Sequence, residues 1–510
     1  MTLQKFLWAA VVFLITSCIH TPSRPSGEWR IDEASIADLQ AAMASGALSS
    51  RALVEHYLQR IGQYDKAGPR LNAFLYLNPR VREEADQLDR ERAQGHVRSP
   101  LHGIPIALKD NMNTKDMPTT GGSTAFQGAQ PQEDAFVVAK LRAAGAVFLG
   151  KTNLHELARA GTTVSSLGGQ TLNPYDLSRT PGGSSGGTAV AVAANLAAAG
   201  MGSDTVNSIR SPASACDLVG LRPTRGLVSR SGVIPAALTQ DMVGPITRWV
   251  EDAGLILEII QGPDPKDPTT AEASEKARPH YPLRTGALQG ARLGVLRSFF
   301  GTKPEHAEVN EVMSRALKQL KAHGVELVEL DAPLDVDKLI ATMDVQKWES
   351  KTQIDAWLRD LGPGAPAIHT FDAWVASGKY DQTIAKGLKD AQPFDHPEND
   401  PEYRERIGPR RDALKARVAE IFAQNRLDAI IYPHQKRLSV PIGQSQTDRN
   451  GFLASITGHP AIDVPAGFAK SGMPVGMEFF GMPYSEGRLL ELAYSWEEAV
   501  PNRHPPPSAP

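Results

Sequence analysis

Thr180-Pro181-Gly182-Gly183-Ser184-Ser185-Gly186-Gly187 runs straight into an Ala/Val-rich helical stretch, Thr188 to Ala199. After it comes Gly202-Ser203-Asp204-Thr205-Val206-Asn207-Ser208-Ile209-Arg210-Ser211-Pro212-Ala213. A flexible Gly/Ser linker would not usually lead directly into an apolar helix, so this run reads as a built loop. Its glycines permit backbone angles barred to other residues, which lets two serine-bearing segments come within hydrogen-bond reach. Upstream, Ile104 to Leu108 is a continuous apolar run, a buried strand that ends in Lys109-Asp110-Asn111.

The same grammar extends outward from this stretch. Ser49-Ser50 caps an amphipathic helix, with Val54, Leu58 and Ile61 at helical spacing. Leu71 to Leu77 predicts a strand, Val81 to Gln94 a charged helix, Asp134 to Ala144 a helix, and Ala146 to Leu149 a buried strand. Further on, Leu293 to Leu296, Val325 to Leu330 and Leu427 to Tyr432 are again short apolar runs, and Pro304 to His323 is helical. Apolar runs alternating with helices imply βα units, and hence an α/β fold on a largely parallel or mixed sheet. Residues 335–426 are mostly helical and polar with Pro-rich breaks, a helical excursion from the sheet, and the Pro-rich tail 501–510 is expected to fray.

Composition narrows the function classes. With 510 residues, 41% hydrophobic and 22% charged, the chain can bury a sizeable core. A net charge of -3 without a long Lys/Arg block gives no footprint for nucleic acid. Lys5 followed by the apolar run Phe6 to Ile15 matches a signal peptide over residues 1–17, and Ile15-Thr16-Ser17-Cys18 resembles a bacterial lipobox. Residues 18–30 then read as a tether. On this reading the protein is exported, periplasmic or at the cell surface, and held at the membrane through a lipid on Cys18. Cys216 is left as a packed small hydrophobe.

Several motifs are present in letters only. Gly145-Ala146-Val147-Phe148-Leu149-Gly150-Lys151-Thr152 spells a phosphate loop, but an apolar strand lies between its glycines where a flexible cradle is needed. Gly182-Gly183-Ser184-Ser185-Gly186 spells a nucleophile elbow, but no strand leads into it. No serine is followed three residues later by lysine, and zinc-ligand spacings are missing.

Taken together, Lys109-Asp110 at a strand end, the Gly-Gly-Ser-Ser-Gly-Gly loop and Gly202 to Arg210 resemble the amidase signature family, in which these elements recur in this order. Val219 to Ser229, Val464-Pro465-Ala466-Gly467 and Gly472 to Met477 are similar to family text as well, so the likeness runs from about Ile31 to the end of the folded region. The resemblance implies a single large α/β domain over residues 31–500, a mixed central sheet with helices on both faces. It also implies hydrolysis of a carboxamide C–N bond with no metal or organic cofactor. By position, Ser208 takes the place of the acylated nucleophile, Ser184 that of a bridging serine within a cis peptide, and Lys109 that of the general base.

The chemistry of these residues fits those places. A serine hydroxyl attacks only when something removes its proton, and a lysine does so only when neutral, a state that burial favours. Ser184 would relay the proton from Ser208 to Lys109 and return it to the departing nitrogen. The family holds the tetrahedral oxyanion on backbone N–H groups, which makes Thr205, Val206, Asn207 and Ser208 the oxyanion-hole candidates. Many members carry two glycines where this chain has Val206 and Asn207, side chains expected to narrow or polarise the pocket. Asp204, Arg210 and Ser185 are expected to support the site. His155 and His434 are candidates for facing the pocket and touching substrate.

The resemblance leaves the substrate open among small-molecule and peptide amides. Two rivals remain at this point. One is an ammonia-releasing subunit of a tRNA-dependent amidotransferase, which the export signal disfavours. The other is a catalytically silent binding lipoprotein.

Overall fold

The computed structural model describes residues 30–510; Lys5, the apolar run after it and the expected lipidation site Cys18 lie outside the described residues. In chain order the strands are β1 (Phe74–Leu77), β2 (Pro105–Lys109), β3 (Val147–Thr152), the small ribbon of β4 (Val164–Ser165) and β5 (Gly169–Gln170), then β6 (Ala199–Asp204), β7 (Val219–Arg222), β8 (Met242–Thr247), β9 (Arg292–Val295), β10 (Glu326–Glu329), β11 (Ala429–Pro433), β12 (Ala461–Phe468) and β13 (Pro474–Phe480). Among the described residues, all but the ribbon form one mixed sheet in the order β1-β3-β2-β6-β8-β7-β12-β13-β11-β9-β10. Pairing is parallel at β3-β2-β6 and at β11-β9-β10, and antiparallel through the middle.

Both faces of the sheet's interior are buried, which is why strands such as β2 and β11 read as unbroken apolar runs. Along β11, Ala429 and Ile431 join the main core, while Ile430 and Tyr432 join a second cluster with Phe452 and Leu453 on the other face. The phosphate-loop letters fall on β3, where Lys151 is fully buried and donates to the Met112 carbonyl at 2.8 Å and the Thr119 hydroxyl at 2.7 Å. It serves as an internal tie.

The Ala/Val helix stops at Ala193, short of the expected Ala199. Asn195 takes a left-handed backbone (φ 53°), a usual way to end a helix, and Ala199 opens β6. Small residues on both sides let this helix lie unusually close to the sheet. A Cβ on Gly200 would collide with Thr188 Cγ2, and one on Gly187 would collide with the main-chain oxygens of Asn153 and Ala73. The closeness is also polar: the Thr152 and Thr188 hydroxyls are 2.7 Å apart.

Between β10 and β11 the chain makes the helical excursion. Its largest helices are Gln346–Asp360 and Pro409–Asn425. It docks on the loop after β2, where Trp374 packs on Phe126 with ring centroids 5.1 Å apart and Trp357 Nε1 donates to Asn113 Oδ1 at 3.1 Å. The tail does not fray. Ala509 is fully buried, and Arg60 donates to the main-chain oxygens of Ala509 and Pro510 at 3.2 and 3.3 Å.

Gly187→Ala is expected to destabilise the chain by about 1–3 kcal/mol or more, because the added methyl meets backbone rather than a movable side chain. Thermal unfolding of this variant beside Gly62→Ala, where a Cβ meets nothing, checks this.

Candidate active site

The carboxyl ends of the parallel strands β3, β2 and β6 open at the same edge, the side on which α/β sheets place their ligands. β2 is buried at every position and delivers Lys109 there. Lys109 Nζ lies 2.7 Å from Ser184 Oγ and donates to Ser203 Oγ at 2.8 Å and to the Ser203 carbonyl at 3.3 Å. Asn111 Nδ2 donates to the same Ser203 hydroxyl at 2.9 Å. Burial pulls the Lys109 ammonium down to about 7, against the opposing pull of Asp204 and Asp241. A lysine set among hydroxyl and carbonyl oxygens is thus neutral in a large fraction of molecules at neutral pH.

Ser184 follows Gly183 through a cis peptide. The loop around it is held from several sides. Thr163 Oγ1 donates to the Gly182 carbonyl at 2.7 Å and accepts from the Gly186 N–H at 3.1 Å, and the His155 N–H donates to the Ser184 carbonyl at 3.0 Å. Ser185 ties three segments together: its hydroxyl donates to the Ser203 carbonyl and its N–H to the Ser208 carbonyl, both at 3.2 Å. Through it the Ser184 loop, the end of β6 and the Ser208 segment share one scaffold.

Ser208 is 5% exposed. Its segment is folded over a buried carboxylate, because Asp204 Oδ2 accepts from the Ile209 N–H at 3.1 Å. The N–H groups of Val206, Asn207 and Ser208 have no hydrogen-bond acceptor among the described residues. Asp204 also pairs with Arg210 at 3.1 Å and with Arg222 at 2.8 Å. Burial alone would raise this carboxyl, but the two guanidinium groups hold it well below the usual range. Arg210 reaches on to Glu478 at 2.5 Å and to the Gly451 carbonyl at 2.9 Å, so one buried network joins β6, β7, β13 and the segment before β12.

The two histidines and the three residues before Ser208 are all engaged by protein partners. His434 is buried with Nδ1 2.5 Å from Glu478 and Nε2 3.5 Å from the Asn207 amide, so it extends the buried hydrogen-bond network. The Asn207 side chain is itself buried and also accepts from Arg449 at 3.4 Å. Val206 packs against the cluster of Phe452 and Leu453. His155 is buried between Thr162 and Thr383, and burial draws it down to about 4. Thr205 donates to Asp241 at 2.5 Å.

Sequence reading missed Ser203, Asn111, Arg222 and Glu478. Ser203 carried one usable signal, its place at the end of β6 immediately before Asp204.

A family model described as Amidase matches residues 52–490. The chain belongs to the amidase family. Its fold and that of the native peptide amidase from Stenotrophomonas maltophilia superpose with a TM-score of 0.85 at 37% identity, covering 93% of this chain and 98% of that one. A glutamyl-tRNA(Gln) amidotransferase subunit from Thermotoga maritima gives a TM-score of 0.73 at 28% identity, over 94% of this chain and 97% of that one. Among curated proteins, the corresponding glutamyl-tRNA(Gln) amidotransferase subunit of Prochlorococcus marinus (strain MIT 9303) is 34% identical, over 92% of this chain and 98% of its own length. Amidase-family membership makes the chain an enzyme acting on amide C–N bonds.

The curated relatives also correct an expectation. They are named as subunits A of glutamyl-tRNA(Gln) amidotransferases, and this contradicts the reading of the chain as exported, periplasmic or at the cell surface. Lipid anchoring gains no support from them. Among the described residues no helix is long and apolar enough to cross a membrane.

Arg210→Met would leave Asp204 and Glu478 buried with too little positive charge beside them. A loss of about 3–5 kcal/mol is expected, read as a lower urea midpoint with an unchanged slope.

Proposed function

We propose that this amidase hydrolyses its substrate through an acyl-enzyme on Ser208, with Ser184 as proton relay and Lys109 as general base. The observation that carries the reading is the 2.7 Å approach of Lys109 Nζ to Ser184 Oγ, made by a lysine that burial brings down to about 7. In the neutral amine two hydrogens go to the Ser203 hydroxyl and carbonyl, which leaves the lone pair for the Ser184 proton.

The steps follow in order. Lys109 takes the Ser184 proton as Ser184 takes that of Ser208, and Ser208 Oγ bonds to the amide carbon. Negative charge develops on the former carbonyl oxygen, where the N–H groups of Thr205, Val206, Asn207 and Ser208 are the proposed donors. As the C–N bond breaks, Ser184 gives its proton to the leaving nitrogen and is resupplied by protonated Lys109. Water, deprotonated by the same pair, then cleaves the ester and restores Ser208. Side-chain changes at positions 206 and 207 leave the backbone donors in place.

For the substrate, the likeness to peptide amidase supports a peptide carboxamide. A second reading, release of ammonia as one component of a multi-subunit amidotransferase, is favoured by the curated relatives. Ammonia release by the isolated chain separates them: peptide amides turned over without partners support the first, and glutamine turnover that needs partner subunits supports the second.

In either case Ser208→Ala is expected to abolish turnover, while Lys109→Ala and Ser184→Ala lower kcat by about 10²–10⁴-fold. Ammonia release by Ser208→Ala at the wild-type rate would refute the assignment.

A further inference from the structure

A second polar cleft opens away from the serine site. It has a volume of about 280 Å³ and lies between the loop after β7, the helix Pro409–Asn425 and the turns flanking β12 and β13. Its polar lining comes from Thr224, Arg225, Lys415, Thr457, His459 and Tyr484, with no carboxylate among the lining residues. The Arg225 N–H donates to the Gly458 carbonyl at 3.0 Å and the Tyr484 N–H to Thr224 Oγ1 at 2.8 Å, so the walls are fixed to one another.

The charges here are unbalanced. Arg411, one helical turn before Lys415, repels both Lys415 and Arg225, and its Nε and one terminal nitrogen are buried without a hydrogen-bond partner. Arg225 spends one terminal nitrogen on the Thr239 carbonyl at 2.6 Å. Lys276 stands 5.5 Å above the Tyr484 ring at the rim.

The neighbouring acids are each engaged by hydrogen-bond donors, Glu272 and Glu486 by residues of the cleft wall itself. Glu349 accepts from Thr239 and Tyr403, Glu272 from the Tyr484 hydroxyl, and Glu486 from the Thr224 N–H. Asp412 and Glu349 act on the cations only at longer range.

An independent feature points into the same cleft. His459 is 2% exposed and its ring stacks on Phe480 with centroids 5.2 Å apart; neither ring nitrogen makes a well-formed hydrogen bond among the described residues, the Thr457 backbone offering only a weak contact. A buried imidazole so poorly satisfied is costly unless a ligand completes it. Burial keeps it uncharged, so it offers one N–H and one lone pair.

We propose that this cleft binds the phosphate group of a small phosphomonoester. Arg225, Lys415 and Arg411 would supply the counter-charge, and His459 and the Thr224 and Thr457 hydroxyls would supply directed hydrogen bonds. Phosphate is matched by several converging cations and neutral donors, and the cleft has room for the ester substituent beyond it. The site goes beyond amide hydrolysis and shares no residue with the Lys109-Ser184-Ser208 cluster.

The test is calorimetric titration of the full-length protein with inorganic phosphate and with glycerol 3-phosphate, at fixed ionic strength. Both should bind at one site, the ester more tightly, and binding should persist in Ser208→Ala. Lys415→Glu, and Lys415→Met as a milder variant, should weaken it about tenfold or more, the scale of a lost charge-assisted hydrogen bond. Lys318→Glu, on the exposed face of another helix, should leave it unchanged. Absence of binding by either probe would overturn the proposal. So would equal weakening by Lys318→Glu, loss of binding in Ser208→Ala, or binding only of polyanions such as nucleic acid.

Discussion

A lysine buried among hydroxyl and carbonyl oxygens, with no carboxylate at ion-pair distance, must give up part of its hold on a proton. Lys109 is in that position, and the surrounding architecture maintains it. β2 places it at a strand end, β6 brings Ser203 beneath it, and the loop after Thr180 brings Ser184 within 2.7 Å. A nearby ion pair would restore the ammonium and, in the proposed mechanism, remove the base. The acids of this region are accordingly engaged elsewhere, Asp204 by Arg210 and Arg222, Asp241 by Thr205 and the Ala236 and Ala237 N–H groups.

Two kinds of packing enforce this arrangement. Close approach of the helix Gly186–Ala193 requires glycine at 187, against the main chain of Asn153 and Ala73, and at 200 on β6, and this closeness draws the Ser184 loop down onto the strand ends. The Asp204–Arg210–Glu478 network then clamps the Ser208 segment against the distal strands. It is fully buried and fully charged, an arrangement that fixes geometry more than it adds stability. The chain spends polar groups here to hold a loop in one shape.

Much of this was legible in the sequence. β2, β3 and β11 announce themselves as unbroken apolar runs because both faces of the sheet are covered. Lys109 stood out because it ends such a run. The central antiparallel strands were not legible as strands: Ala199–Asp204, Met242–Thr247 and Pro474–Phe480 each carry Gly or Pro, and glycine there answers close packing, which a one-dimensional pattern does not display. The contacts of Ser203 and Glu478 were hidden for another reason. They join residues 94 and 268 positions apart, and nothing local marks a serine or a glutamate as the partner of a distant lysine or arginine. The departure at Val206 and Asn207 was visible, but its consequence was not, since both side chains are absorbed by apolar and polar neighbours.

The central claim is that Lys109 is the base and is neutral near physiological pH. Its most direct test is the pH dependence of fluorophosphonate modification of Ser208, followed by peptide mass spectrometry. The account predicts a rate that rises to a plateau with a midpoint at about 7 and loses that midpoint in Lys109→Met. A rate still climbing toward the pKa of an ordinary lysine, about 10.4, or a profile unchanged in Lys109→Met, would contradict it.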